Sequence, residues 1–217
     1  MCSRFTQIYT WRELRELYGL LPGSLNLQAR YSICPRARID VVLDGELVPM
    51  RWGLIPRWWS GELKEMKLAT FNACVENVDT KQVFRTAFRR NRCIIPASGY
   101  YEWEATPAGK RPWYFTGRNG AILSVAGLWE EWTDRDTGTA LKSCTMVVTD
   151  ANRFAADVYD RMPVLLQPDQ FEAWLSGKAG KEMLVPAPET MLRKWPVSSR
   201  INSSLANDED ATLIAKS

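Results

Sequence analysis

At 217 residues, with 46% hydrophobic and 24% charged content, the chain has the balance of a soluble globular protein long enough to bury a substantial core. No run approaches the roughly 18 consecutive apolar residues of a membrane span, no basic-then-apolar leader opens it, and a net charge of +3 dictates no partner, so a cytoplasmic protein without membrane attachment is expected. The absence of any histidine excludes Ser-His, Cys-His and His-ligated metal mechanisms, leaving a perturbed carboxylate, a thiol or the α-amine to titrate near neutrality.

In chain order, the first predicted element is a helix over Thr10 to Tyr18. Thr10 and Glu13 form a capping box, Trp11, Leu14, Leu17 and Tyr18 share one face, and Gly19 ends it. The stretch IDVVLDGELVPMRWGL reads as a hairpin turned by Asp44-Gly45, and residues 51–70 as an irregular loop. A short helix is expected around Thr80 to Phe88, with Val83, Phe84, Ala87 and Phe88 inward; Arg85, Arg89, Arg90 and Arg92 gather toward its C-terminal end, where the dipole favours cations. From Arg92 onward, RCIIPASGYYEW, RPWYFT, AILSVAGLWEEW and SCTMVVTD alternate with the turn-forming TPAGK, GRNG and TDRDTG, which points to antiparallel pairing. A short helix follows Asp150, and a clearer one spans Pro168 to Leu175 before Gly177. With no repeat, linker or composition shift, residues 1–217 read as a single α+β domain with a curved, largely antiparallel sheet or barrel-like core flanked by short helices.

Five cysteines, Cys2, Cys34, Cys74, Cys93 and Cys144, are odd in number and lack a C-x-x-C pair, so reduced thiols are expected rather than a disulfide framework or a zinc site. Cys2 stands apart. Removal of Met1, expected before a small second residue, would put an α-amine (unperturbed pKa about 7.7–8.0) and a thiol (about 8.5) on one residue. That pair condenses with an aldehyde to an imine and closes to a five-membered thiazolidine; the same terminus also suits N-terminal-nucleophile amide hydrolysis.

Three further stretches carry polar residues in apolar settings. FNACVEN holds Asn72, with a turn or cap as its plain alternative; ASGYYEW holds Glu102 among aromatics, where burial would raise its pKa, against an outward position on an alternating strand. YDRMPVLL sets Asp160 and Arg161 before a buried strand. In RWGLIPRWWS, Arg51 and Arg57 bracket tryptophans, and Trp58 and Trp59 either wedge against nucleotide bases or anchor the loop.

MCSRF, RYSICP, RWGLIPRWW, FNACVEN, RCIIPASGYYEW, AGLWEEW, VVTDAN, DRMPVLL and VSSRIN occur together and in this order. In that respect the chain resembles the SOS-response-associated peptidase family of abasic-site processing proteins over roughly residues 2–202, leaving 203–217 as a tail. The resemblance implies a monomeric protein of the DNA damage or SOS response that binds single-stranded DNA at abasic sites, with no metal and no cofactor. The ring-opened sugar aldehyde would be captured by Cys2 in a covalent DNA–protein crosslink, with β-elimination (lyase) and peptidase (hydrolase) activities associated. By motif match Cys2 is the nucleophile, Asn72 positions it and the abasic residue, and Glu102 handles protons. Arg4 and Arg161 contact phosphates or line the cleft, and Trp58 with Trp59 prop the DNA open.

The chain also departs from the family pattern. Cys74 stands where arginine is usual, Tyr159 where histidine is usual, Ser32 where asparagine is common and Ser3 where glycine is frequent. Loss of a phosphate fork predicts weaker, less salt-sensitive DNA binding, and a phenol of pKa about 10 is a poor proton shuttle at neutral pH. Reduced crosslinking activity is therefore expected. A DNA-binding module that has lost its chemistry, and an N-terminal-nucleophile peptidase or amidohydrolase, are the alternative readings.

Overall fold

The computed structural model describes residues 2–217. Among the described residues, thirteen strands form two sheets, with four short α-helices beside them. The larger sheet is built on β3 (Arg38–Leu43), β4 (Glu46–Trp52), β6 (Arg92–Ala97), β9 (Leu123–Thr133) and β10 (Ala140–Asp150). These five close on themselves: β10 pairs with β4, β4 with β3, β3 with β6, β6 with β9, and β9 with β10. Every pairing is antiparallel except β4 with β10, so the ring is a small, largely antiparallel barrel of the kind expected.

The smaller sheet has the order β13 (Leu192–Pro196), β8 (Gly109–Gly117), β7 (Gly99–Thr106), β1 (Phe5–Gln7), β2 (Arg30–Ile33). Its inner face lies against the barrel and shares its core. Phe5, Tyr100 and Phe115 pack in one cluster with Trp52, Ile95, Val125 and Met146, and Cys2 belongs to that cluster. On the far side of the barrel a second cluster joins Val42, Ile94, Leu128 and Val147 to Leu14 of α1 (Trp11–Tyr18), Ala87 and Phe88 of α2 (Arg85–Arg90) and Trp174 of α4 (Phe171–Leu175).

Local chemistry accounts for much of this. Both halves of the Thr10–Glu13 capping box are made and Gly19 closes α1 at φ 63°. Asp44 and Gly45 both take positive φ, 51° and 76°, as a two-residue hairpin turn requires. The helix expected over Thr80 to Phe88 begins later, because residues 78–84 form turns, but Phe84, Ala87 and Phe88 are buried as anticipated. Arg92 is spent structurally: its guanidinium stacks on Phe88 and Trp174, 4.7 and 4.5 Å from their ring centres, and donates to the Phe88 and Ala179 carbonyls. Short strands with too few residues to show a period went unpredicted: β1, β2, β13 and β5 (Asn72–Cys74).

RCIIPASGYYEW divides at Ser98, β6 entering the barrel and β7 the smaller sheet. The crossing needs a glycine. A Cβ on Gly99 would meet the Phe115 carbonyl oxygen and the Tyr114 hydroxyl, both at 2.4 Å. Gly99→Ala is therefore expected to lower unfolding free energy by about 2 kcal/mol or more, read by denaturant titration, because a backbone atom cannot give way as a side chain does.

Candidate active site at the junction of the two sheets

The N-terminal segment is threaded between β2 and β7, with Phe5 facing Ile33 on one side and Tyr100 on the other. The Tyr101 amide donates to the Arg4 carbonyl, which extends that pairing toward Cys2 and brings the segment alongside Glu102. From the barrel, β5 runs parallel to β10, Asn72 facing Met146 and Cys74 facing Val148. Asn72 reaches across the gap, its Nδ2 donating to the Cys2 carbonyl at 2.7 Å.

Cys2, Asn72 and Glu102 are 1%, 7% and 3% exposed. Asn72 is thus a buried strand residue, not a surface cap, and Glu102 points inward. Burial first, then the Glu102 charge, pushes the Cys2 thiol well above its ordinary range, so it is held as S–H; its Sγ lies 3.8 Å from the Arg4 carbonyl. Burial pushes the Glu102 carboxyl up to about 7, with Asp160 adding to the rise. Near neutrality this carboxyl is present in both protonation states, a property for which many enzymes use histidine. Tyr159 is half-buried against the same cluster and its phenol is pushed up by burial, then by Asp160 and Glu102, so it borders the site as a neutral hydroxyl.

The cationic candidates are differently occupied. Arg4 is buried on the other face of β1, donating from Nη1 to the Ser32 hydroxyl at 2.7 Å and the Ser203 carbonyl at 3.3 Å. Arg161 forks onto Glu76 at 2.6 and 2.9 Å and also bonds Asp150 at 2.8 Å. Cys74 lies within electrostatic reach of that guanidinium. The two tryptophans part at a turn, in which the Trp59 amide donates to the Pro56 carbonyl at 2.8 Å. Trp59 anchors the loop against Ile55, Met66 and Trp132, whose indole donates to the Trp59 carbonyl at 2.7 Å, whereas Trp58 is 46% exposed beside Pro56, Gln82 and Thr86.

Tyr100 is the site residue that the sequence did not single out. Its ring stacks on Phe115 (centres 4.9 Å apart, planes 7° from parallel), and its phenol is raised far above the usual range by burial, then by Cys2 and Glu102. The hydroxyl is buried without a hydrogen-bond partner among the described residues, as is Asn72 Oδ1. One donor and one acceptor beside the thiol are thus unspent. Only the alternation that places residues 100 and 102 on one face of β7 pointed to Tyr100.

A family model described as SOS response associated peptidase (SRAP) matches residues 1–204. The chain belongs to that family. It is 32% identical to the abasic site processing protein YoaM of Bacillus subtilis, covering 97% of this chain and 96% of that one, and 25% identical to YedK of Escherichia coli, another abasic site processing protein, over 94% and 95%. A crystal structure of a Bacteroides thetaiotaomicron protein superposes over the full length of both chains with a TM-score of 0.90 at 24% identity, which establishes the fold. Among the described residues, no helix is long and apolar enough to cross a membrane, and no group of three or more Cys, Asp or Glu is placed to hold a metal ion.

A buried hydroxyl without a partner costs stability. Tyr100→Phe keeps the ring stack and is expected to raise the unfolding free energy by about 1 kcal/mol in a denaturant titration. Glu102 has the opposite thermodynamic signature to a paired carboxylate. Pushed up to about 7, it lies above the 4.5 of a free glutamate side chain, so between those values the folded state holds a proton that the unfolded state has released. Stability is expected to fall as pH rises from about 4.5 to 7, by up to about 3 kcal/mol, and to level off above; in Glu102→Gln that slope should flatten in unfolding measured at several pH values.

Proposed function

We propose that this protein, once Met1 is removed, captures the aldehyde of a ring-opened abasic sugar in single-stranded DNA as a thiazolidine on Cys2. The observation that carries the reading is the burial of Cys2, held through its carbonyl by Asn72, at a junction where burial pushes the Glu102 carboxyl up to about 7, in a chain without histidine. The freed α-amine attacks the aldehyde carbon. Both amine hydrogens leave with the carbonyl oxygen as water, with Glu102 in its acid form protonating the departing oxygen. The thiol then adds to the imine carbon, and its proton passes by way of the Glu102 carboxylate to the ring nitrogen. Asn72 holds the cysteine by its carbonyl, and its unspent Oδ1 is available to a sugar hydroxyl.

The peptidase reading draws less support, since an acyl-transfer nucleophile attacks first as a thiolate and the thiol here is held protonated. Aldehyde capture begins at the amine and needs the sulfur only afterwards. Imine formation would also permit strand cleavage by β-elimination. The DNA-binding module without chemistry takes its support from Cys74 and Tyr159, the one offering no phosphate fork and the other a weak proton shuttle.

The Met1-processed protein, incubated with single-stranded DNA carrying one abasic site, is expected to give a shifted band on a denaturing gel and an intact mass equal to protein plus DNA less one water. Cys2→Ser should abolish the stable adduct. Glu102→Gln should slow its formation by about 100-fold or more and remove the inflection near pH 7 from the rate profile. An adduct that survives in Cys2→Ser, or none in the parent protein after long incubation, overturns the reading.

A further inference from the structure

The phosphates of a bound strand need cations, and those expected from the family pattern are committed elsewhere. Arg4 is buried on Ser32 and Ser203, Arg161 is neutralised by Glu76 and Asp150, and position 74 is a cysteine. A different set of cations, none of them ion-paired among the described residues, lies around the edge of the barrel, Lys142 alone facing a carboxylate, Glu131, across the ladder.

Arg38 on β3 stands directly across the ladder from Arg51 on β4. Like charges in that position destabilise a sheet by a few tenths of a kcal/mol or more. Arg36 is close enough to repel Arg51, and that repulsion, after burial, holds the Arg51 guanidinium below its usual pKa. β4 and β10 are bridged only at Arg51–Ser143 and Trp52–Cys144. Alongside, between residues 48–51 of β4 and 140–142 of β10, lies a groove of about 590 Å³ lined by Arg36, Arg38, Arg51 and Lys142, with Glu131 as its single carboxylate.

A second cavity of about 250 Å³ shares Arg36 and Arg51 with the first and adds Lys67. Its wall includes Phe71, the residue before Asn72, and Trp52, whose indole donates to the Phe71 carbonyl at 2.9 Å. The two therefore adjoin at Arg36 and Arg51 as a trough whose second part is walled by Phe71, one residue from the side chain that holds Cys2. None of the five cations makes an ion pair among the described residues, and Arg36, Arg38 and Lys67 are exposed. A clustered positive charge retained against its own repulsion is what an anionic ligand would relieve.

We propose that the trough lined by Arg36, Arg38, Arg51, Lys67 and Lys142 holds the sugar–phosphate backbone of single-stranded DNA leading away from the lesion. The inference rests on the functional reading above and adds the path of the strand. Contacts of this kind are electrostatic and independent of base sequence, so they set affinity and its salt dependence rather than lesion recognition.

The test is noncovalent binding of a fluorescent, lesion-free single strand by the full-length Cys2→Ser protein across a range of salt concentrations. Each phosphate contact on a single strand contributes about 0.7 to the slope of log affinity against log salt. Arg36→Gln/Arg38→Gln/Lys142→Gln, which keeps much of each side chain's stem, is expected to weaken low-salt binding at least tenfold and to make the slope shallower by about 2. Arg85→Gln/Arg89→Gln/Arg90→Gln, on α2, removes equal charge from another exposed surface and should leave the slope within about 0.5 of the parent. An unchanged slope in the trough variant, or an equal loss in the α2 variant, overturns the proposal. No binding by the parent protein overturns the functional reading itself, and the trough with it. The single variant Arg38→Gln, with an expected change of about 0.7, decides the matter should the triple variant unfold.

Discussion

The hydrogen bond from Asn72 to the Cys2 carbonyl ties the barrel to the smaller sheet at the site, and farther along β1 the Gln7 amide repeats the tie through the Asp40 and Pro96 carbonyls. One partner sits on β5, which pairs along β10 of the barrel; the other is carried by β1, which pairs on both sides within the smaller sheet. A chain terminus ordinarily frays because nothing holds its ends. Here the N-terminal segment is an inner strand of its sheet, and the asparagine fixes the backbone of Cys2 from the opposite side. Exposure of Cys2 is only 1% as a result, and its chemistry is set by burial rather than by solvent.

Burial also decides the electrostatics. Glu102 is raised toward neutrality chiefly by desolvation, and Cys2 is raised further by the same effect reinforced by Glu102. The two shifts have one origin, the apolar junction between barrel and sheet. Tyr100 and Asn72 carry unspent hydrogen-bonding atoms into that junction, a cost in stability that a folded protein without a ligand has no reason to bear. Gly99 serves the same place from below: by allowing β7 to pass close to Phe115 and Tyr114 it sets the position of residues 100 and 102.

The cations divide by the same logic. Arg92 sits between two aromatic rings and Arg4 lies beneath the small sheet, bonded to Ser32 and the Ser203 carbonyl, while Arg161 is paired with two carboxylates. Those along the barrel edge keep their charge. Net charge conceals this, since +3 is the sum of committed and uncommitted groups alike.

Local rules made α1 and the Asp44-Gly45 hairpin legible, because a capping box and a left-handed turn are satisfied within a few residues. The run of long strands after Arg92 was legible for its composition and its turns. Strands of three to five residues were not, since β1, β2, β5 and β13 exist only through their partners, and neither was the division of RCIIPASGYYEW between two sheets at Ser98. The family's ordered motifs marked Cys2, Asn72 and Glu102, but they describe residue types and not orientation. By itself the sequence determined that chemistry near neutrality must come from a carboxyl, a thiol or the α-amine, because it holds no histidine. Only the tertiary structure decided that Trp58 is exposed while Trp59 is an anchor, that Arg4 and Arg161 each make hydrogen bonds within the fold, and that the Tyr100 hydroxyl has no partner among the described residues, because burial and partners are properties of neighbours far away in the chain.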